Sequence, residues 1–321
     1  MSLDCIGVVG LGLLGRGIAT TLVAHGFRTI AYDHSARGRE SANQHVHDSL
    51  AEMVEHGKLT SRQVEDNLSM LQIVDHMDSL NVCDFVIESI VEDLAQKSTL
   101  FDELEALIDP QTVVGSNTSA LPITLIQRGR IHPGRFVGMH WGEPCHISRF
   151  QEIIRGEETT DAAFDSAVAL SYACGKEPSL VQKDMRGFIT NRLMYAMLRE
   201  ALHLLESGVA DVETIDRSFR NDIGFWSTIA GPFRWMDLTR ISAYARVIKD
   251  LFPELANTTE LPDTMKHMLD TGAEGVSNQL GFYEYDAESA QQWEEKWKAF
   301  TWQVRELADH YVPTDSQEPV S

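Results

Sequence analysis

Residues 5–15 read Cys5-Ile6-Gly7-Val8-Val9-Gly10-Leu11-Gly12-Leu13-Leu14-Gly15. The first five form a short apolar run, suited to a strand buried on both faces. The glycines that follow have the spacing G-x-G-x-x-G. Ile18, Ala19, Leu22 and Val23 then fall on one helical face, and Gly26 ends that helix. Thr29-Ile30-Ala31-Tyr32 makes a second strand that closes at Asp33, 18 residues after Gly15. The glycine spacing is a weak signal alone. With a strand before it, a helix after it and an acid at the end of the next strand, it is a strong one.

That context predicts a dinucleotide site. Gly10 permits the tight turn, Gly12 lets the backbone approach a pyrophosphate, and Gly15 lets helix and strand pack closely. The helix N-terminus offers free N–H groups to phosphate. Asp33 can accept both ribose hydroxyls and would repel a 2′-phosphate; His34 and Ser35 follow it without an adjacent arginine, so NAD is expected over NADP. Gly10, Gly12, Leu13, Leu14, Gly15 and Asp33 are the candidate cofactor contacts.

Working outward, residues 40–70 read as two polar helices. Phe85-Val86-Ile87 is a further buried strand, followed by a helix through Leu100, Phe101 and Leu104. Thr112-Val113-Val114 and Phe136-Val137-Gly138-Met139 are two more strands. Strands alternating with helices predict an α/β fold, a Rossmann-like doubly wound parallel sheet. Beyond residue 184 strand signals are few. Leu193, Met194, Met197, Leu198, Ala201, Leu204 and Leu205 make an apolar helical stripe stopped by Gly208, and Trp293, Trp297, Phe300, Val304 and Leu307 make another. Both read as core or subunit interface. The expected division is 1–183 for the nucleotide-binding domain and 184–321 for an all-helical domain, with a polar, fraying tail from Pro313.

Composition sets limits. Lys and Arg number 27 against 48 Asp and Glu, a formal net charge of −21, which argues against nucleic acid and anionic membranes as partners. Hydrophobic residues at 43% exclude disorder as the main state. No apolar run approaches the ~20 residues of a membrane span. Cys5, Cys83, Cys145 and Cys174 form no C-x-x-C pair, so no metal is expected, and free thiols fit a cytoplasmic protein.

Four groups of polar residues sit where a nicotinamide site would form at the strand ends. They are Ser116-Asn117-Thr118-Ser119, then His140-Trp141-Gly142-Glu143-Pro144, then Glu152, then Asp184-Met185-Arg186-Gly187-Phe188-Ile189-Thr190-Asn191-Arg192. Together with Val86-Ile87-Glu88-Ser89-Ile90-Val91-Glu92, Gly231-Pro232 and Gly281-Phe282-Tyr283, the chain resembles the L-3-hydroxyacyl-CoA dehydrogenase family over nearly its whole length. The resemblance implies that His140 is the general base taking the hydroxyl proton while hydride leaves for the nicotinamide, a task that suits imidazole because it titrates near neutrality. It implies that Glu152 holds the other ring nitrogen, that Ser119 and Asn191 bind substrate oxygens, and that Glu92, Lys97 and Ser119 lie at the cofactor. It also implies a homodimer through the helical domain.

Three departures bear on the substrate. The family's H-F-x-N-P asparagine is Glu143 here, an acceptor-only group that would face solvent, pair with Arg149, or meet substrate; Glu143 and Arg149 are therefore candidate substrate residues. Ala42 to Glu55 carries Asp48, Glu52 and Glu55 but no Lys or Arg to meet CoA phosphates. No lysine stands in Gly275–Leu280 before the late Gly-Phe-Tyr. The dehydrogenation residues are present while those handling CoA are altered. Three functions stay open: a 3-hydroxyacyl-CoA dehydrogenase, the same chemistry on a small free hydroxy acid, carnitine-like compound or ring alcohol, and a non-catalytic, crystallin-like NAD-binding protein.

Overall fold

The structure, a computed structural model, describes residues 3–312. The tail from Pro313 to Ser321, expected to fray, lies outside the described residues. The apolar runs form β1 (Cys5–Val9), β2 (Arg28–Tyr32), β3 (Leu71–Val74), β4 (Phe85–Glu88), β5 (Val113–Ser116), β6 (Phe136–Trp141), β7 (Phe150–Ile154) and β8 (Glu177–Val181). They make one sheet in the order β3-β2-β1-β4-β5-β6-β7-β8. The order reverses between β1 and β4, and the crevice at such a switch point is where ligands bind. β1, β4, β5 and β6 are buried at every residue, as the unbroken apolar runs require.

The sheet departs from the all-parallel expectation at one place: β7 runs antiparallel to β6. Only residues 142–149 join the two strands, and a parallel crossover needs a dozen or more. β3, β7 and β8 are absent from the sequence reading. β8 reads Glu-Pro-Ser-Leu-Val and is buried only at Val181, so it has no alternating signal, and its proline is tolerated at the sheet edge.

Helices cover both faces. α1 (Leu13–Ala24), α2 (Ala36–Glu55) and α3 (Ser61–Leu68) follow the first strands. α2 is capped by Ser35, which accepts from the Gly38 N–H, and α3 by a Thr60–Gln63 capping box. α4 (Leu94–Leu107), α5 (Ile123–Gln127) and α6 (Asp161–Ala173) complete the layers. One core cluster joins Ile18 and Leu22 of α1 with Phe164, Ala167 and Leu170 of α6. The other, across the sheet, joins Leu80, Phe101, Leu104 and Ile126. Each buried Leu, Ile or Phe among them contributes roughly 1.5–3 kcal/mol on burial, which fixes the strand ends that carry the site.

The chain divides into two compact units, the first ending at Asn191 and the second beginning at Arg192. α7 (Thr190–Glu206) opens the helical part, and Gly208 at φ 68° follows its end. α8 (Val212–Asn221), α9 (Ile223–Ser227), α10 (Pro232–Thr239), α11 (Ile241–Leu251), α12 (Asp263–Asp270) and the 25-residue α13 (Ala287–Tyr311) follow. Among the described residues of this second unit, only Ala230, Ala290 and Trp302 are buried hydrophobics. No helix among the described residues is long and apolar enough to cross a membrane.

Candidate active site

The glycine turn has the geometry a pyrophosphate needs. Gly10 has φ 88°, in the left-handed region, and its N–H donates to the Tyr32 carbonyl at 2.9 Å. A Cβ on Gly15 would stand 1.8 Å from the Gly10 carbonyl oxygen, whereas a Cβ on Gly12 would meet nothing within 4 Å. Gly15 therefore serves the turn's own packing, and Gly12 leaves open space at the mouth of α1. Gly12 caps α1 without a side chain, and the first turn holds no acid to compete with phosphate. Leu13 is exposed, while Leu14 is half-buried and packs on the core.

Asp33 is oriented by the glycine turn and by its own loop. Oδ2 accepts from the Leu11 N–H at 2.7 Å and Oδ1 from the Ser35 N–H at 2.8 Å. The nearby Arg39 donates to the Asp33 main-chain carbonyl at 2.8 Å.

Glu92 and Lys97 are part of a polar network that runs from the buried Glu88 to the partly exposed Glu92. Lys97 Nζ, with no exposed side-chain surface, lies 2.5 Å from Glu88 Oε1 and 3.6 Å from Glu92 Oε2. Glu88 also accepts from the Ser116 hydroxyl and the Ile90 N–H. Glu92 Oε1 accepts from the Thr118 hydroxyl at 2.5 Å and from the N–H groups of Ser119 and Ala120 at 3.0 and 3.1 Å. Burial pushes the Glu92 carboxyl up, but the Thr118 bond, Lys97 and the two N–H groups outweigh it and hold the group below the usual carboxylate range. The Ser-Asn-Thr-Ser segment is thus shaped by Glu92. Asn117 braces it further, donating to Ser89 Oγ and accepting from the Trp141 N–H.

The catalytic candidates meet across the antiparallel pair. His140 of β6 and Glu152 of β7 are direct register partners, which brings their side chains together on one sheet face. His140 Nδ1 lies 2.8 Å from Glu152 Oε2, and the Glu152 side chain is fully buried. The bond leaves Nε2 as the ring nitrogen free to accept a proton. Phe150 meets the imidazole edge-on at 5.3 Å, and Phe188, itself at φ 47°, lies 6.1 Å away. Glu152 Oε1 accepts from the N–H groups of Ile189 and Thr190 at 3.0 and 2.9 Å. Burial pushes the Glu152 carboxyl up, but the bonds from His140, Thr190 and Ile189 hold it below the usual range.

The next residue, Asn191, donates to the Ser119 carbonyl at 2.7 Å. Asp184 accepts from the Thr124 N–H at 2.7 Å, docking the same segment onto the end of the Ser119 loop. The structure therefore brings Ser119, Asn191, Glu152 and His140 into one connected set. Phe150, Phe188 and Asn117 belong to it as well; Asn117 and Phe188 lie inside the quoted motifs without a role assigned to them, and Phe150 lies outside every motif, since nothing in its spacing marks it.

Glu143 and Arg149 lie in the β6–β7 loop. Arg149 donates to Glu177 at 2.5 Å. Glu143 is exposed as a residue, yet its carboxyl oxygen comes within 3.7 Å of where a Gly17 Cβ would stand, against α1. Desolvation there pushes its pKa up, opposed by the charges of Arg16 and Lys176. Lys176 is buried and donates to the Cys145 and Ser148 carbonyls, fixing this loop. On α2, Glu52 turns inward to lie 3.9 Å from His146 of the loop.

This geometry agrees with the sequence relationships. Residues 5–185 match the model for the 3-hydroxyacyl-CoA dehydrogenase NAD-binding domain, and residues 187–285 match that for the 3-hydroxyacyl-CoA dehydrogenase C-terminal domain. The chain belongs to the 3-hydroxyacyl-CoA dehydrogenase family. It is an NAD-dependent dehydrogenase of that type, and the open turn at Gly12 and the free mouth of α1 fit the cofactor. It is 31% identical, over 88% of its length and 91% of the relative's, to 5-formyl-3-hydroxy-2-methylpyridine 4-carboxylate 5-dehydrogenase of Mesorhizobium japonicum. A crystal structure of an enzyme of that name, described as an NAD+-dependent dismutase, aligns with a TM-score of 0.89 and 28% identity over 99% of this chain and 100% of that one. (S)-3-hydroxybutyryl-CoA dehydrogenase from Ralstonia eutropha aligns with a TM-score of 0.75 and 28% identity, over 89% and 100%.

Proposed function

We propose that this family member removes a proton from a substrate hydroxyl at His140 Nε2, and that its substrate is a small hydroxy compound carrying no CoA. The observation that carries the chemistry is the carboxylate of Glu152, which joins His140 Nδ1 to the backbone just before Asn191. Bound NAD+ supplies the hydride acceptor. His140 takes the proton, Glu152 stabilises the imidazolium that forms, and Ser119 and Asn191 hold the substrate oxygens. The retained set argues against a non-catalytic role.

The substrate reading rests on the β6–β7 loop and α2. Glu143 replaces a neutral amide with an acceptor that cannot donate to a thioester carbonyl. The inward Glu52 adds negative charge on the helix expected to meet CoA phosphates. The whole-length similarity to an enzyme named for a pyridine carboxylic acid supports the same reading. A panel of hydroxy compounds with and without CoA, followed by NADH absorbance, tests it. Turnover of free hydroxy compounds above 3-hydroxybutyryl-CoA is expected; a CoA substrate far ahead of every free alcohol overturns the reading.

We also infer that two copies associate through the helical unit. An apolar groove of about 970 Å³, lined by Leu198, Leu202, Leu205, Met265, Met268 and Phe282 among others, lies within that unit. Trp293, Trp297 and Phe300 stand exposed along α13. A second copy covers both most economically. We infer a reducing compartment such as the cytoplasm, a reading that the four free, buried cysteines support.

A further inference from the structure

We propose that Cys5 and Cys83 form an oxidant-responsive thiol pair, a modification site separate from the dehydrogenase chemistry. Their Sγ atoms lie 3.5 Å apart, in direct contact, in a protein whose proposed mechanism uses neither. Cys5 opens β1 and Cys83 stands two residues before β4, the parallel neighbour of β1.

The backbone on both sides of the contact is pinned. The Asp84 carboxylate accepts from the N–H groups of Asp4 and Cys5 at 2.8 and 3.0 Å. The Asp84 N–H donates to the Cys5 carbonyl at 2.9 Å, and the Thr112 hydroxyl to the Cys83 carbonyl at 2.9 Å. Closing to a disulfide, at about 2.05 Å between sulfurs, then requires side-chain rotation rather than strand movement.

Both thiols are buried, but each is one residue from the surface, beside exposed Asp4 and Val82. That is the N-terminal edge of the parallel strands, the opposite end from the Gly10 turn. The hydrogen bond from Cys83 favours the Cys5 thiolate, with Arg28 adding to it against burial and Asp84. The same bond and burial push the Cys83 thiol up, which makes Cys5 the first attacking sulfur and Cys83 the protonated partner, held so until Cys5 is oxidised. Burial pushes Cys145 and Cys174 up to about 12, which leaves them poor first nucleophiles.

The oxidant is hydrogen peroxide. The Cys5 thiolate attacks one peroxide oxygen and the O–O bond breaks. Cys5 becomes a sulfenic acid, and the leaving oxygen takes a proton to become water. Cys83 sulfur then attacks Cys5 sulfur, the S–O bond breaks, and a second water leaves as the thiol proton is released to it. The two cysteines lose two electrons, and the peroxide gains them. The product ties β1 to the start of β4, closing most of the first nucleotide-binding half into a covalent loop that restricts the unfolded chain.

The test is peptide mapping without reductant after treating the full chain with hydrogen peroxide. The expected product is a Cys5–Cys83 linked peptide pair, two hydrogens lighter than the free peptides. Two of the four thiols should be lost to a thiol reagent in denaturant, and Tm should rise by several degrees, reversed by dithiothreitol. In Cys83→Ser, peroxide should produce no rise in Tm. Four titratable thiols after treatment, irreversible sulfinic acid at Cys5 without a link, or a link through Cys145 or Cys174 would each overturn the proposal. The mapping on the native chain stands even if the variant fails to fold, and it needs no dehydrogenase substrate.

Discussion

At the scale of single residues, Glu152 divides its two oxygens between the base and the backbone that leads to Asn191. Three donors converge on it, so glutamine cannot replace it: its amide nitrogen would face either the imidazole N–H or the two backbone N–H groups. Glu152→Gln is expected to lower kcat and also to raise KM, because Asn191 shifts with residues 189–190. His140→Ala should lower kcat further, by about 10²–10⁴-fold for a lost general base, and leave NADH binding unchanged by fluorescence titration. A normal turnover in His140→Ala would remove the assignment. Ionisation adds a second readout. The folded Glu152 pKa lies below its unfolded value, so its contribution is complete above the ordinary carboxylate range and is lost as pH falls through the depressed value. The Tm gap between native protein and Glu152→Gln should therefore close toward acid. Glu143 has the opposite sign: its folded pKa is raised, so stability is lost as pH rises through the carboxylate range. Glu143→Gln should raise Tm at neutral pH and have no effect where the carboxyl is protonated in both states. Equal melting curves at both pH values would mean that desolvation at Glu143 carries no energy.

At the scale of elements, the glycine turn separates two roles that the motif alone merges. Gly15→Ala places a methyl 1.8 Å from the Gly10 carbonyl, so the turn itself must open and Tm should fall. Gly12→Ala meets no protein atom, so Tm should hold while the methyl occupies the approach to the pyrophosphate. NADH affinity should fall by about tenfold or more, roughly 1.4 kcal/mol, by calorimetry. Unchanged affinity in Gly12→Ala would place the phosphates elsewhere. The first strand, helix and second strand are legible in sequence because their burial leaves an unbroken apolar run and their turn demands glycine. The pairing of His140 with Glu152 is legible only through family likeness. Its physical origin is the antiparallel register of β6 and β7, and a short loop between two strands, one of them unrecognised, hid that reversal. Lys97 and Glu92 were likewise legible only through family likeness, as residues near the cofactor. Their work on Glu88 and on the Ser119 loop depends on burial that charge patterns do not reveal.

At the scale of the whole molecule, the helical unit presents an imbalance that one chain does not resolve. Phe225 is 80% exposed, Phe233 78% and Leu238 68%, while three hydrophobic residues are buried among the described residues from Arg192 onward. A unit of this size with so small a core lacks the burial that offsets its conformational entropy. The proposed second copy would supply that burial, so association and folding of this unit are expected to be coupled. Sedimentation at micromolar concentration should give twice the 36.0 kDa of one chain. Trp297→Lys, in the exposed stripe of α13, should weaken the dimer by about 2 kcal/mol or more, about thirtyfold, and lower Tm in a concentration-dependent way. Lysine is chosen because each chain already carries a net charge of −21, and an added acid would confound packing with repulsion. That charge has a consequence of its own. Two such chains repel over distances that salt screens, with a Debye length of about 10 Å at 0.1 M. The dimer should therefore tighten as ionic strength rises, the reverse of an interface held by opposite charges. A single-chain mass across the salt range, or a dimer that loosens with salt, would mean that the apolar faces of the helical unit are covered in another way.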